Sequence, residues 1–185
     1  MPCSACGGTF MVIQATAAVV GEGLVETNAW GIGYGDVQPW TDKWLDLDDA
    51  RRRVEEAYAL PDCEPAQLRR PILMFFRLCR ELADFIEDET GLSAKAFVHS
   101  DPDLRVCDAL AQVTKHRTRN NPNSMTARIA TFNRTRDGQH VYIHWRQRDC
   151  EGTDDAVDLV VRCLDAWDRF IQQHSLRTPA RDHLA

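Results

Sequence analysis

The chain has 185 residues, 44% of them hydrophobic, and its 22 Lys and Arg against 28 Asp and Glu leave a formal charge of −6. Those values describe one globular domain, 1–185, with enough apolar side chains for a core, and the acidic balance argues against indiscriminate binding to polyanions. No apolar run approaches the ~20 residues of a membrane helix. The longest, Phe10 to Val20, is interrupted by Gln14 and Thr16 and follows no basic segment of the signal-peptide kind, so the chain is expected in the cytoplasm, with no membrane partner. Cysteines at 3, 6, 63, 79, 107, 150 and 163 are too sparse for a disulfide scaffold and read as reduced thiols, mostly in the core.

Thr9 to Val20 is rich in β-formers, Gly21-Glu22-Gly23 offers a turn, and Leu24 to Trp30 can return as a partner strand. A Gly-rich loop follows, carrying Trp30, Tyr34, Trp40 and Trp44, which serve either as core or as an anchor for a partner. A helix is predicted from Asp46 as N-cap, with Leu47, Ala50, Val54 and Ala57 on one stripe, stopped by Pro61 and Pro65. Gln67 to Glu89 is the strongest amphipathic helix, with Leu68, Ile72, Phe75, Cys79, Leu82 and Ile86 stepping by three and four and Gly91 ending it. Asp101 can cap a further helix, with Pro102 at its first position, running to Lys115-His116-Arg117.

Asp137-Gly138 then favours a two-residue type I′ turn, which pairs Arg134 with Val141, Phe132 with Ile143 and Ala130 with Trp145. The opposite face of that hairpin carries His140, Tyr142, His144 and Arg146. Thr153-Asp154-Asp155 caps the last helix, whose Val157, Val160, Leu164, Trp167 and Ile171 repeat at helical spacing as far as His174. The fold expected is α+β and mainly helical: a helical core over 64–175 with an inserted hairpin at 125–148, preceded by a section of strand, loop and helix over 1–63.

Positive charge is concentrated. Between Ala109 and Arg148 lie Lys115, Arg117, Arg119, Arg128, Arg134, Arg136, Arg146 and Arg148 against the single acid Asp137. Clustered cations bind phosphates, and the rings of His140, Tyr142 and His144 can stack on unpaired bases, which together point to RNA. The alternative is a solvated polar hairpin following a helix end where cations complement the dipole. His116 stands between Lys115 and Arg117, two helical turns after Asp108. Flanking cations favour its neutral form, a general base, with Arg117 and Arg119 as phosphate ligands; equally, these side chains can simply bond the last helical carbonyls.

The segment from Gln67 to His116, with Asp101-Pro102-Asp103-Leu104 opening its second helix, Asp108-Ala109-Leu110-Ala111 in the middle and Lys115-His116 at its end, resembles small bacterial proteins of the HEPN type. The closing helix, Asp158 to Ile171 with Cys163 and Trp167-Asp168-Arg169-Phe170, is similar to the last helix of such proteins. The resemblance spans about two thirds of the chain and leaves 1–63 outside it. It implies a homodimeric helical bundle, and a metal-independent ribonuclease of toxin–antitoxin or phage-defence systems. The signature of the class, an Arg followed four to six residues later by His on a helix and usually by a polar residue directly, is not present at His116; its spacing fits Arg169 to His174, where Phe170 follows the Arg, and Arg134 to His140, which spans the hairpin turn and so has the wrong geometry.

Cys3-Ser4-Ala5-Cys6-Gly7-Gly8 has the form of one zinc knuckle, and the other ligands would come from His140 and His144 or from thiols such as Cys63 and Cys150; otherwise Cys3 and Cys6 are two free thiols near the terminus. Trp30-Gly31-Ile32-Gly33-Tyr34-Gly35-Asp36 lacks the strand and helix of a nucleotide loop. Asp36, Asp42, Asp46, Asp48 and Asp49 are dense enough for a divalent cation, although helix-dipole complementation explains part of the cluster. The leading expectation is an RNA-binding protein that cuts RNA without metal, with His116, Arg117 and Asp108 or the rival pair Arg169 and His174 at the reaction. Lys115, Arg119, Arg128, Arg134, Arg136, His140, Tyr142, His144 and Arg146 would hold the strand. The competing expectation is a non-catalytic homodimer that serves an antitoxin or defence subunit, and the third is a zinc-stabilised regulator.

Overall fold

A computed structural model describes the backbone of residues 39–115, 124–136 and 138–179, and their side chains except at 114 and 115. These residues lie in one compact unit, Val37–Ala185. They form a mixed α/β structure of five helices and one antiparallel sheet: α1 (Trp40–Ala59), α2 (Pro65–Thr90), α3 (Ala94–Ser100), α4 (Pro102–Lys115), β1 (Thr126–Thr135), β2 (Gly138–Gln147), β3 (Cys150–Asp155) and α5 (Ala156–Gln173). The strand stretch expected over Thr9 to Trp30, Cys3 and Cys6, and the glycine loop lie outside the described residues.

Helix α1 starts six residues before the expected cap at Asp46. Trp40 and Trp44 extend the stripe of Leu47, Ala50 and Val54, and all five are buried, so the two tryptophans belong to the core rather than to a loop. The cap comes from a distant element: Glu89 of α2 accepts from Trp40 N at 2.8 Å, satisfying one of the first-turn N–H groups of the longer helix. Asp48 and Asp49 pair with Arg51 and Arg52 on the same helix, so these two carboxylates are neutralised locally.

Pro65, expected to stop a helix, instead opens α2. Its missing N–H falls where no intrahelical partner exists, and Glu64 and Gln67 close a reciprocal capping box. The predicted stripe of α2 is buried throughout, joined by Phe76 and Ala83, and the helix ends at Gly91 in the left-handed conformation, φ 71°. The short helix α3 lies in a stretch that the periodicity left blank. Helix α4 begins as expected: Asp101 Oδ1 accepts from the N–H groups of Asp103 and Leu104 at 3.0 and 3.1 Å. Asp155 caps α5 in the same way through Val157 N at 2.9 Å.

The hairpin departs from its predicted register. Thr135 pairs with Gly138 and Phe132 with Val141, so the turn moves one position toward the N-terminus, and a bulge between Ile129 and Thr131 then pairs Ile129 with Ile143 and Ala127 with Trp145. Core burial decides this. The observed pairing brings Val141, Ile143 and Ala127 inward, all buried, against helices α1, α4 and α5; the predicted one would have set Arg134 across from Val141 on that face. The third strand was not expected; β3 pairs antiparallel with β2 from Tyr142–Asp155 to Gln147–Cys150 and gives the sheet order β1-β2-β3.

Candidate nucleic-acid interface

Directly paired residues share a face of a sheet. The outer face therefore carries His140, Tyr142, His144 and Arg146 on β2; Asn133, Thr131, Arg128 and Thr126 on β1; and Asp155, Thr153 and Glu151 on β3. None of these residues is buried. The bulge sets part of this composition. With unbroken alternation Arg128 would follow Phe132 to the inner face; the extra residue at Ala130 turns it outward, opposite His144.

The rings of His140 and Tyr142, two residues apart along β2, lie nearly parallel, 16° between planes with centroids 6.1 Å apart. His140 is held in orientation: its Nδ1 stands 3.0 Å from Asp155 Oδ2, which leaves Nε2 at the other edge of the ring. Tyr58 of α1 donates to the other oxygen of that carboxylate at 3.5 Å. Burial, then the Asp155 charge, pushes the Tyr58 phenol above its ordinary pKa, so it remains a neutral donor. His144 Nε2 lies 3.8 Å from Glu151.

Basic side chains continue from this face into grooves. A pocket of 220 Å³ is lined by Thr126, Ala127, Arg128, His144 and Arg146. Arg128 also lines a 390 Å³ groove with Arg69 and Leu73 of α2 and Leu110 and Val113 of α4, and Arg69 leads on to a 370 Å³ groove with Arg70 and Arg77. Most arginines of this path differ from others in the chain. Arg51, Arg52, Arg80, Arg162 and Arg169 are in ion pairs, and so, on the path itself, is Arg77 with Glu81 at 2.9 Å, whereas Arg69, Arg70, Arg128 and Arg146 have no ion-pair partner among the described residues. Arg69 and Arg70 were not among the expected binding residues. Their helical positions are visible in the sequence, but their nearness to Arg128 arises from the packing of α2, α4 and β1.

The remaining candidates are distributed differently. Arg134 lies on the inner side of the outermost pairs and makes an exposed ion pair with Asp62 at 3.1 Å, while Arg136 is exposed in the turn. Asp108 is buried at 4% exposure and accepts from Arg80 Nε at 2.9 Å and from Gln112, tying α4 to α2. Arg169 donates to the α4 cap residue Asp101 at 3.0 Å and so joins α5 to α4, whereas the His174 ring packs 4.5 Å from that of Phe170 at the C-terminal end of α5 itself. His116, Arg117 and Arg119 lie outside the described residues, as does Cys3 with Cys6. Lys115 is the last residue of α4, and its side chain is outside the description.

A second cluster has a different chemistry. Cys79 of α2, Cys107 of α4 and Cys163 of α5 bring their sulfurs within 4.8 Å of one another in the core, a group that can hold a metal ion. Trp167 Nε1 donates to Cys79 Sγ at 3.3 Å; Cys107 donates to the Phe76 carbonyl at 3.3 Å and Cys163 to that of Asp103 at 3.7 Å. Burial raises all three thiols, but at Cys79 the hydrogen bonds from Cys107, Cys163 and Trp167 outweigh it and hold that thiol well below the ordinary cysteine value, while Cys107 and Cys163 are pushed well above it. The spacing of each cysteine on its own helix reads only as core, and the cluster exists through tertiary packing. Among the described residues no helix is long and apolar enough to cross a membrane. Comparison with protein-family models, with curated proteins and with solved structures finds no match to this chain.

Proposed function

We propose that this chain is a cytoplasmic RNA-binding protein of HEPN-like, homodimeric type that takes a single strand across the outer sheet face. Bases would stack on His140 and Tyr142, and phosphates would lie along Arg146, Arg128 and Arg69. The observation that carries this reading is the path of arginines without an ion-pair partner among the described residues, running from the sheet face of the stacked rings into the groove between α2 and β1. An arginine already bonded to a carboxylate must give up that bond to hold phosphate, and these need not. Lys115, Arg117 and Arg119 precede β1 in sequence and belong to the same run of positive charge. Metal-free cleavage would draw on His116 as general base with Arg117 and Arg119 on the phosphate, and the outward Nε2 of His140 offers a second imidazole.

The test is binding of labelled single-stranded RNA by the full chain over a salt series, with substrate integrity followed on a gel. Affinity is expected to fall with salt, and Tyr142→Ala to weaken it at every salt concentration without changing the slope, because stacking releases no counterions. Shortened RNA that requires His116 would establish cleavage. Absence of binding at low salt, where phosphate contacts are strongest, would overturn the proposal in favour of a protein-interaction role.

A further inference from the structure

The three core thiols are more than buried apolar filler in one respect: each comes from a different helix, and their sulfurs converge on one point. A trigonal thiolate centre with metal–sulfur bonds near 2.3 Å places its sulfurs about 4 Å apart, and all three here lie within 4.8 Å of one another. Among the described residues the group contains three ligands and no fourth His, Cys, Asp or Glu. Zinc in a closed structural site takes four ligands, and the 0%, 1% and 0% exposure of Cys79, Cys107 and Cys163 leaves little room for water to complete the set.

Charge narrows the choice further. Three thiolates around a monovalent ion leave two negative charges, and around a divalent ion one, in a core where a net charge is costly. The ionised groups that act on the cluster, Asp101 on Cys79 and Asp103 on Cys163, are negative and already committed to Arg169 and Arg162, so they offer no compensation. A trivalent ion alone gives a neutral centre.

We propose that Cys79, Cys107 and Cys163 form a three-coordinate site for a soft trivalent ion, arsenic(III), taken up as arsenous acid. The reaction balances without oxidant or reductant: three As–O bonds break, three As–S bonds form, and each departing hydroxyl leaves with one thiol proton as water. The incoming acid is uncharged, which suits a site reached only through local opening of the helices. Trp167 Nε1 stays on Cys79 Sγ throughout, and the bound ion cross-links α2, α4 and α5.

The experiment exposes the full chain, reduced with a phosphine rather than a competing thiol, to arsenite. Native mass spectrometry is expected to show one arsenic per chain, and the melting temperature to rise with arsenite concentration. Replacing Cys3, Cys6, Cys63 and Cys150 together by alanine leaves the core triad intact and should change neither result; Cys63 is itself a buried core residue, outside the triad. Cys107→Ala should abolish both. Loss of uptake in the four-alanine variant, uptake retained in Cys107→Ala, or one tightly held zinc per chain with no arsenic uptake would each overturn the proposal, as would no uptake of any kind.

Discussion

Asp155 accepts from Val157 N at the start of α5, stands 3.0 Å from His140 Nδ1 and receives the Tyr58 hydroxyl, so one carboxylate joins β3, β2, α5 and α1. Its capping role follows from the run Thr153-Asp154-Asp155 before an apolar stripe. The other two bonds do not, because they depend on β3 pairing beside β2 and on α1 lying against that edge. The two roles separate by substitution. Asp155→Asn keeps an oxygen for the cap and is expected to leave stability nearly unchanged, whereas Asp155→Ala removes the cap and strands the half-buried Tyr58 hydroxyl, costing roughly 1–3 kcal/mol. Chemical denaturation of the two variants checks the order; equal losses would mean that the charge, not the cap, is what α5 needs. In RNA binding the order should narrow, since both variants free the His140 ring from its carboxylate.

At the scale of elements, the helices were legible wherever a buried stripe and a local cap coincide. The α2 stripe from Leu68 to Ile86 and the Asp101 cap of α4 are both written in contiguous sequence. What failed was local chemistry overruled from a distance: Asp46 as a cap lost to Glu89, and the Asp137-Gly138 turn lost to a register that buries Val141 and Ile143. The missed strand β3 has no apolar alternation to announce it, and its pairing rests on contacts to β2. Trp145 lies over Gly152, its direct partner, and donates to Asp154 at 2.6 Å. A Cβ at Gly152 would press into the Trp145 indole. Gly152→Ala is therefore expected to destabilise by roughly 1–3 kcal/mol, with hydrogen exchange quickening in β3 before α2 and α4. Uniform loss of protection would show instead that the sheet and helices unfold as one unit. Because β3 supplies Asp155, the same variant should also loosen the His140 ring.

Over the whole molecule the acidic excess and the basic band coexist because ion pairs absorb cations selectively. Arg51, Arg52, Arg80, Arg162 and Arg169 are matched to nearby carboxylates, most of them within or between helices, while Arg69, Arg70, Arg128 and Arg146, which have no ion-pair partner among the described residues, line adjoining grooves. Sequence showed the band from Ala109 to Arg148 but not which members share a surface: Arg128 reached the outer face through a bulge, Arg69 joined from α2, and Arg134 fell on the other side with Asp62. This division makes a sharper test than total charge. Replacing Arg69 and Arg128 together by alanine should weaken single-stranded RNA binding about tenfold, near 1.4 kcal/mol, and lower the slope of affinity against salt by about 0.7 per arginine removed. Arg134→Ala removes an equal charge from the same hairpin, yet its guanidinium is paired with Asp62 and lies off the path, so its slope should stay within error of the unmodified chain. If Arg134→Ala and the double variant shift the slope by the same amount per charge, binding follows the overall field of the hairpin and the path has no special standing. A slope that falls only for Arg69 and Arg128 would mean that phosphates sit in the groove between α2 and β1, where the helices and the bulge together fix the spacing.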